Sequence, residues 1–87
     1  MATTGKLGEI DFSTFVISLG SSAALQLDAN APEFDLALAQ NTIDILAMLE
    51  VKTAGNLTAE ESSLLSDILY QTRLAWADAK KASAARD

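Results

Sequence analysis

The side chains that could carry out chemistry in this 87-residue chain are carboxylates and hydroxyls, because the sequence has no Cys and no His. Without these two residue types there are no thiolate nucleophiles, disulfides or thiolate metal sites, and the commonest general base and metal ligand are missing. The acidic and hydroxyl residues do not form a recognisable catalytic set. We therefore expect a protein that is not an enzyme and that binds no cofactor.

Metal binding by carboxylates alone is the main chemical alternative. The candidate ligands lie on the second and third predicted helices and are Asp44, Glu50, Glu60, Glu61 and Asp67. Helical bundles that hold metals this way combine Glu with a Glu-x-x-His motif on facing helices, which a chain without His cannot supply. We interpret these residues as solvated acidic faces, with a weak Ca or Mg site as the alternative.

The overall charge limits the classes of partner. The chain has 12 acidic and 6 basic residues, and its net charge of -6 opposes binding to nucleic acid or to an anionic membrane surface. A content of 49% hydrophobic and 21% charged residues is typical of a folded protein. A chain of this length forms one domain and buries only about 60% of its unfolded surface. We expect an acidic single domain with a small core.

An uncharged segment from Phe12 to Leu27 predicts the first helix, with Asp11 or Ser13 as its N-cap. Its apolar side consists of Phe12, Phe15, Val16, Leu19, Ala23 and Leu27. The opposite side has small or hydroxylic residues instead of the usual Lys and Glu, namely Thr14, Ser18, Ser21 and Leu25. Because hydroxyls can hydrogen-bond back to the preceding turn, this side can pack closely against another helix. We expect both sides to be covered.

The same segment could be a membrane span or a signal peptide, since Lys6 precedes it and Ala29-Asn30-Ala31 resembles a cleavage site. It is shorter than the roughly 20 residues that a span needs, and it contains several Ser and Thr residues. Asp11 stands where a signal peptide has basic residues, and Pro32 would directly follow the cleavage point. These features favour a soluble cytoplasmic protein without membrane association.

Two further helices are predicted after this segment. Pro32 ends the first helix, and Asp35 caps a second helix that stops before Gly55. Thr58 and Glu61 form a capping box that starts the third helix, so a very short turn joins the last two helices into an antiparallel hairpin. The predicted core residues of these two helices are Leu36, Leu38, Ala39, Ile43, Ile45, Leu46 and Leu49, then Leu64, Leu65, Ile68, Leu69, Thr72, Ala75 and Trp76.

The predicted fold class is all-α, with helix 1 beside the antiparallel hairpin of helices 2 and 3, completed as a dimeric helical bundle. Residues 1–9 are expected to form a flexible lead-in and residues 10–79 a single helical domain. The Ala-rich tail, residues 80–87, is expected to continue helix 3 and to fray.

Four sequence blocks resemble a short bacterial family known only as a domain of unknown function, number eighteen forty-four. In chain order they are D-F-S-T-F-V-I-S-L-G-S-S-A (11–23), L-A-L-A-Q-N-T-I-D-I-L-A-M-L (36–49), K-T-A-G-N-L-T-A-E-E (52–61) and L-Y-Q-T-R (69–73). The resemblance implies a small helical bacterial protein. It implies no known activity and no catalytic residues.

Some apolar residues lie outside the predicted core. Tyr70, Leu74 and Ala77 line up at spacings of four and three on the side of helix 3 opposite its core residues. Met48 and Val51 similarly lie among polar residues of helix 2. Two such patches, together with a first helix that is uncharged on both sides, indicate a surface that a partner covers.

The sequence therefore favours a non-enzymatic small helical interaction or scaffold protein that acts as a homo-oligomer. The simplest form is a homodimer with helix 1 at the two-fold axis, and the interface residues are predicted to be Phe12, Thr14, Phe15, Ser18, Ser21, Leu25, Tyr70, Leu74 and Ala77. An unidentified second protein is a further partner that these surfaces could bind. The alternative is a regulatory module that binds an apolar small molecule or acyl chain between its helices.

Overall fold

A computed structural model describes residues 11–86 of the chain, and it contains three α-helices. They are α1 (Phe12–Gln26), α2 (Leu36–Lys52) and α3 (Ala59–Arg86), and the described residues contain no strand. The predicted all-α fold of three helices is confirmed. The predicted lead-in, residues 1–9, lies outside the described residues. The helix α3 is continuous to Arg86 and shows no boundary at residue 79. The end of the domain at residue 79 therefore stays a prediction.

The first two helices begin where their acidic caps predicted. The carboxylate of Asp11 accepts a hydrogen bond from the backbone N–H of Thr14 at 2.8 Å. In the same way Asp35 accepts a hydrogen bond from the N–H of Leu38 at 2.9 Å. Each carboxylate satisfies an N–H group that has no partner within its helix, and its negative charge complements the helix dipole.

The turn between α2 and α3 is defined by a capping box and by one glycine. The N–H of Thr58 donates to Glu61 Oε1 at 2.9 Å, and the N–H of Glu61 donates to Thr58 Oγ1 at 3.1 Å. Gly55 has a φ of 87°, a left-handed conformation that costs a glycine little. These local interactions reverse the chain within a few residues, as the sequence predicted.

Side-chain hydrogen bonds between elements show the directions of the helices. Trp76, late in α3, donates through Nε1–H to the carbonyl of Leu36 at the start of α2, at 3.0 Å. Earlier in α3, Ser66 Oγ lies 3.3 Å from Glu50 Oε2, near the end of α2. These two pairs show that α2 and α3 are antiparallel, which confirms the predicted hairpin.

Gln26, the last residue of α1, ties that helix to α2. Its backbone carbonyl accepts a hydrogen bond from the N–H of Asp35 at 2.8 Å, and its side-chain oxygen accepts one from the Thr42 hydroxyl at 2.9 Å. The end of α1 therefore lies beside the first half of α2, so these helices are antiparallel. It follows that α1 and α3 run in the same direction.

All three helices contribute to one core. Its fully or nearly fully buried apolar side chains are Val16 from α1, Ile43 and Leu46 from α2, and Leu65 and Leu69 from α3. Two threonines are also buried, and their hydroxyls are satisfied by hydrogen bonds, Thr42 with Gln26 and Thr72 with backbone carbonyls of its own helix. Burying these hydroxyls is tolerable because they have partners.

Some residues assigned to the core from periodicity lie at its edge instead. Phe15 is 41% exposed and Leu38 is 47% exposed, and Ala75 is also exposed. The physical reason is geometric. In a bundle of three helices each helix faces two neighbours on one side only, so the residues at the edges of a wide apolar stripe reach solvent.

Truncating a core residue should destabilise this small domain severely. Replacing Leu46, which is fully buried, by Ala leaves a cavity and should reduce the free energy of unfolding by about 2–5 kcal/mol. Val51→Ala is the control, since Val51 is 75% exposed and should change stability by no more than about 0.5 kcal/mol. Urea unfolding followed by circular dichroism measures both values. If the two variants lost the same free energy of unfolding, Leu46 would not be a core residue.

Candidate interaction surfaces

The outer face of α1 consists of the four residues that the sequence placed opposite its core side. The side of α1 that carries Val16 and Ala23 is fully buried and faces the bundle. The other side faces away from the bundle, and its four residues are all exposed, namely Thr14, Ser18, Ser21 and Leu25. This face has no charged residue, since none lies between Phe12 and Leu27. An uncharged solvent-facing side over the length of a helix is unusual for a surface helix.

The outer face of α3 consists of Tyr70, Leu74 and Ala77. Tyr70 is 61% exposed and Leu74 is 47% exposed, while the opposite side of the helix is buried through Leu65 and Leu69. The sequence therefore identified this exposed apolar patch correctly. Its neighbours include Asp67 and Lys81, so the patch is small and is bordered by charge.

The two predicted phenylalanine contacts differ in their surroundings. Phe12 packs partly buried against the core, whereas Phe15 is 41% exposed. On α2, Met48 and Val51 are also exposed, as their positions predicted. Phe15 is thus more accessible to a partner than Phe12.

A groove lies between α1 and α3 and separates the outer faces of these two helices. Its first section has a volume of about 450 Å³ and is lined by Ile17, Gly20, Ser21, Ala24, Leu27, Ile68, Gln71, Thr72 and Ala75. At its floor a Cβ on Gly20 would lie 3.0 Å from Ile68 Cγ2, so only glycine allows α1 this close to α3 without a shift. Ser21 belongs both to this groove and to the outer face of α1.

A second section continues the groove along α3. It has a volume of about 500 Å³ and is lined by Leu27, Ala29, Phe34, Ala75, Asp78, Ala79, Ala82 and Ser83. The section exists because α3, with 28 residues, is about 42 Å long, whereas α1 has only 15 residues and is about 22 Å long. Beyond the end of α1, the residues that follow it lie beside α3 instead. We call both sections together the α1–α3 groove.

Sequence reasoning missed this groove. The signal was present, because Ile17, Gly20 and Ala24 form a second, flanking line of small and apolar residues at spacings of three and four on α1. A helical wheel that divides α1 into one core side and one outer side does not predict a contact for these three residues. The structure shows that it faces the neighbouring helix.

The charged residues do not form a metal centre in the part of the chain that the structure describes. Among residues 11–86 no group of three or more acidic residues is arranged to hold a metal ion. One cation contacts an aromatic ring, with Lys80 Nζ 5.3 Å from the centre of the Trp76 ring. None of the described helices is long and apolar enough to cross a membrane.

The cap of α1 should respond to acid. The hydrogen bond from the backbone N–H of Thr14 is the main cause that lowers the pKa of the Asp11 carboxyl below its ordinary value of 3.8, and the nearby Thr14 side chain lowers it further. Because the folded-state pKa is the lower one, the cap stabilises α1 fully above pH 3.8 and loses this effect as the pH falls through the folded value.

An NMR titration measures this effect directly. The Asp11 carboxyl should titrate below 3.8, and the Thr14 amide signal should move with the same midpoint. Asp11→Asn is the control, because Asn also caps helices but does not titrate, so the acid-dependent shift at Thr14 should disappear. A midpoint at or above the ordinary value would contradict the cap.

A family model described as Domain of unknown function (DUF1844) matches residues 9–78. This confirms the resemblance, because all four sequence blocks fall inside the matched range. No curated protein and no solved structure matches the chain.

Proposed function

The chain belongs to the family Domain of unknown function (DUF1844), and we propose that it acts as a non-enzymatic interaction protein that works as a homodimer. The observation that carries the proposal is the outer face of α1. It is exposed, it carries no charge, and it belongs to a helix whose other side is already buried in the bundle. Such a face is suited to close packing against another protein surface.

A second copy is the simplest occupant of this face. A two-fold axis places the same patch on itself, and an uncharged patch can do so without repulsion even though the chain has a net charge of -6. The small side chains of Ser18 and Ser21 allow two helices to approach closely, and their hydroxyls can hydrogen-bond to the preceding turn. Leu25, 47% exposed, would lose contact with water in the dimer.

The absence of an enzymatic role is part of the same proposal. It is supported by the side chains available, since a chain without Cys or His would have to catalyse with carboxylates and hydroxyls. We place the protein in the cytoplasm, a compartment in which proteins rarely carry disulfides, and the absence of Cys supports this placement.

Light scattering after size exclusion should report twice the chain mass of 9.2 kDa at micromolar concentration. Ser18→Arg should shift the protein toward monomer, because it places an unpaired charge inside the interface. Asn41→Arg is the matched control, since Asn41 is an exposed polar residue of α2, and it should leave the mass unchanged. A monomer of 9.2 kDa for the unaltered protein at all concentrations would refute the homodimer.

The outer face of α3 should contribute to association but not to folding. Leu74→Glu should weaken the dimer while leaving helicity and melting temperature nearly unchanged, because Leu74 is 47% exposed. Leu69→Glu should instead unfold the protein, because Leu69 is only 2% exposed and would bury a charge. Circular dichroism measures folding and sedimentation measures association. If Leu74→Glu leaves the dimer intact, this patch lies outside the homodimer interface.

Binding of an apolar small molecule or acyl chain is the second candidate function. It is favoured by the α1–α3 groove, whose first section of about 450 Å³ is lined largely by apolar side chains. The two functions respond differently to heat. A homodimer melts at a higher temperature when it is more concentrated, whereas a ligand-binding monomer is stabilised only by added ligand.

A further inference from the structure

The α1–α3 groove exposes apolar residues that neither the core nor the two outer faces use. Ile17 is 50% exposed and Phe34 is 36% exposed, at opposite ends of the groove. Ala24 and Ala75 between them are exposed as well. A continuous apolar surface of this kind is typical of a binding site for a partner or ligand.

The shape of the groove fits an α-helix. From Ile68 to Ser83 it follows α3 for about 22 Å, at about 1.5 Å per residue, which equals four turns of a helix. Two of the residues that line it, Ala24 and Ala75, are exposed and carry only a methyl side chain. A second helix can therefore approach to the roughly 8–10 Å that separates packed helices.

One edge of the groove is acidic. Glu60, Asp67, Gln71 and Asp78 follow one another on α3 at spacings of seven, four and seven, which places them on the same side of the helix. Gln71 and Asp78 line the groove, and Asp67, the next acidic residue of this series toward the start of α3, lies between this edge and the outer face of α3. The other edge is α1, which has no charged residue.

Four cations, Lys52, Arg73, Lys80 and Lys81, have side chains that the structure describes, and none of them lines the groove. Arg73 and Lys80 share a side of α3 with Trp76, which bonds to α2 through its indole N–H. Lys52 is at the end of α2, and Lys81 is seven residues after Leu74, on the outer face of α3. Among the side chains that the structure describes, Asp78 is therefore the one charged residue that lines the groove, and Asp67 lies beside the same edge.

This charge distribution decides between two occupants. A second copy bound groove to groove about a two-fold axis would bring only carboxylates or uncharged α1 residues to the acidic edge, so it would form no ion pair there. A helix with basic residues would instead pair with that edge. We propose that the α1–α3 groove binds an amphipathic helix of a different protein, with small apolar residues on the side that enters and Lys or Arg on the side next to Asp67 and Asp78.

A synthetic helical peptide tests the proposal on the full chain, whether it is monomeric or dimeric. The probe is a fluorescein-labelled peptide of about 18 residues, roughly the length of the groove, with Ala and Leu on one side and Lys at its flanks. The matched peptide has Glu in place of every Lys. Fluorescence anisotropy should show that the Lys peptide binds about tenfold more tightly or better, and that its affinity falls as salt is added.

Paired variants locate the binding site. Ala75→Lys puts a bulky cation into the groove and should lower affinity for the Lys peptide about tenfold or more. Ala37→Lys makes the same change at an exposed position of α2, outside the groove, and should have less than about a twofold effect. The double variant Asp67→Asn, Asp78→Asn should weaken the Lys peptide and leave the Glu peptide no weaker.

Three results would overturn the proposal. The first is equal binding of the two peptides, and the second is an equal effect of the two Lys variants when circular dichroism shows both to be folded. The third is a loss of dimer mass caused by Ala75→Lys, which would assign the groove to a contact between two copies. The homodimer proposal is tested separately by mass, so either proposal can fail without the other.

Discussion

The fold depends on one shared cluster of buried aliphatic side chains, to which each helix contributes. Val16 comes from α1, Ile43 and Leu46 from α2, and Leu65 and Leu69 from α3. Each helix contacts both of the others, so the cluster lies where all three helices meet. A chain of 87 residues has little additional apolar surface to bury, so the position of this cluster determines which sides of the helices face outward.

Two polar residues determine how the helices are arranged around that cluster. Gln26 holds the end of α1 to α2 through its carbonyl and its side chain, and Trp76 holds α3 to the start of α2 through its indole N–H. Buried or half-buried polar groups are costly unless they are paired, so these hydrogen bonds favour one arrangement over its alternatives. In this arrangement α1 and α3 run in the same direction, and the groove lies between them.

The surface that results has three parts with different chemistry. The outer face of α1 is uncharged, whereas the outer face of α3 is a small apolar patch bordered by charge. The groove between the two helices is apolar at its floor and acidic along one edge. Because the groove and the outer face of α1 meet at Ser21, a bound helix and a second copy would lie next to each other.

Local signals in the sequence determined the helices, their caps and their outward sides. Asp11, Asp35 and the pair of Thr58 and Glu61 act on groups only three residues away, so no tertiary information is needed to predict them. The exposure of Ser18 and Tyr70 followed equally from helical periodicity, since the side opposite a buried stripe faces solvent.

Only the tertiary structure decided what lies at the edges of those stripes. Phe15 and Ala75 were expected in the core and are exposed, and Ile17 and Gly20 had no predicted role yet line the groove. A helical wheel gives the direction of a side chain from its own axis but neither the number nor the angle of its neighbours. The packing of the three helices decides which sides of α1 and α3 meet, and no single helix encodes this packing. The position of the acidic edge beside the apolar floor of the groove depends on it as well.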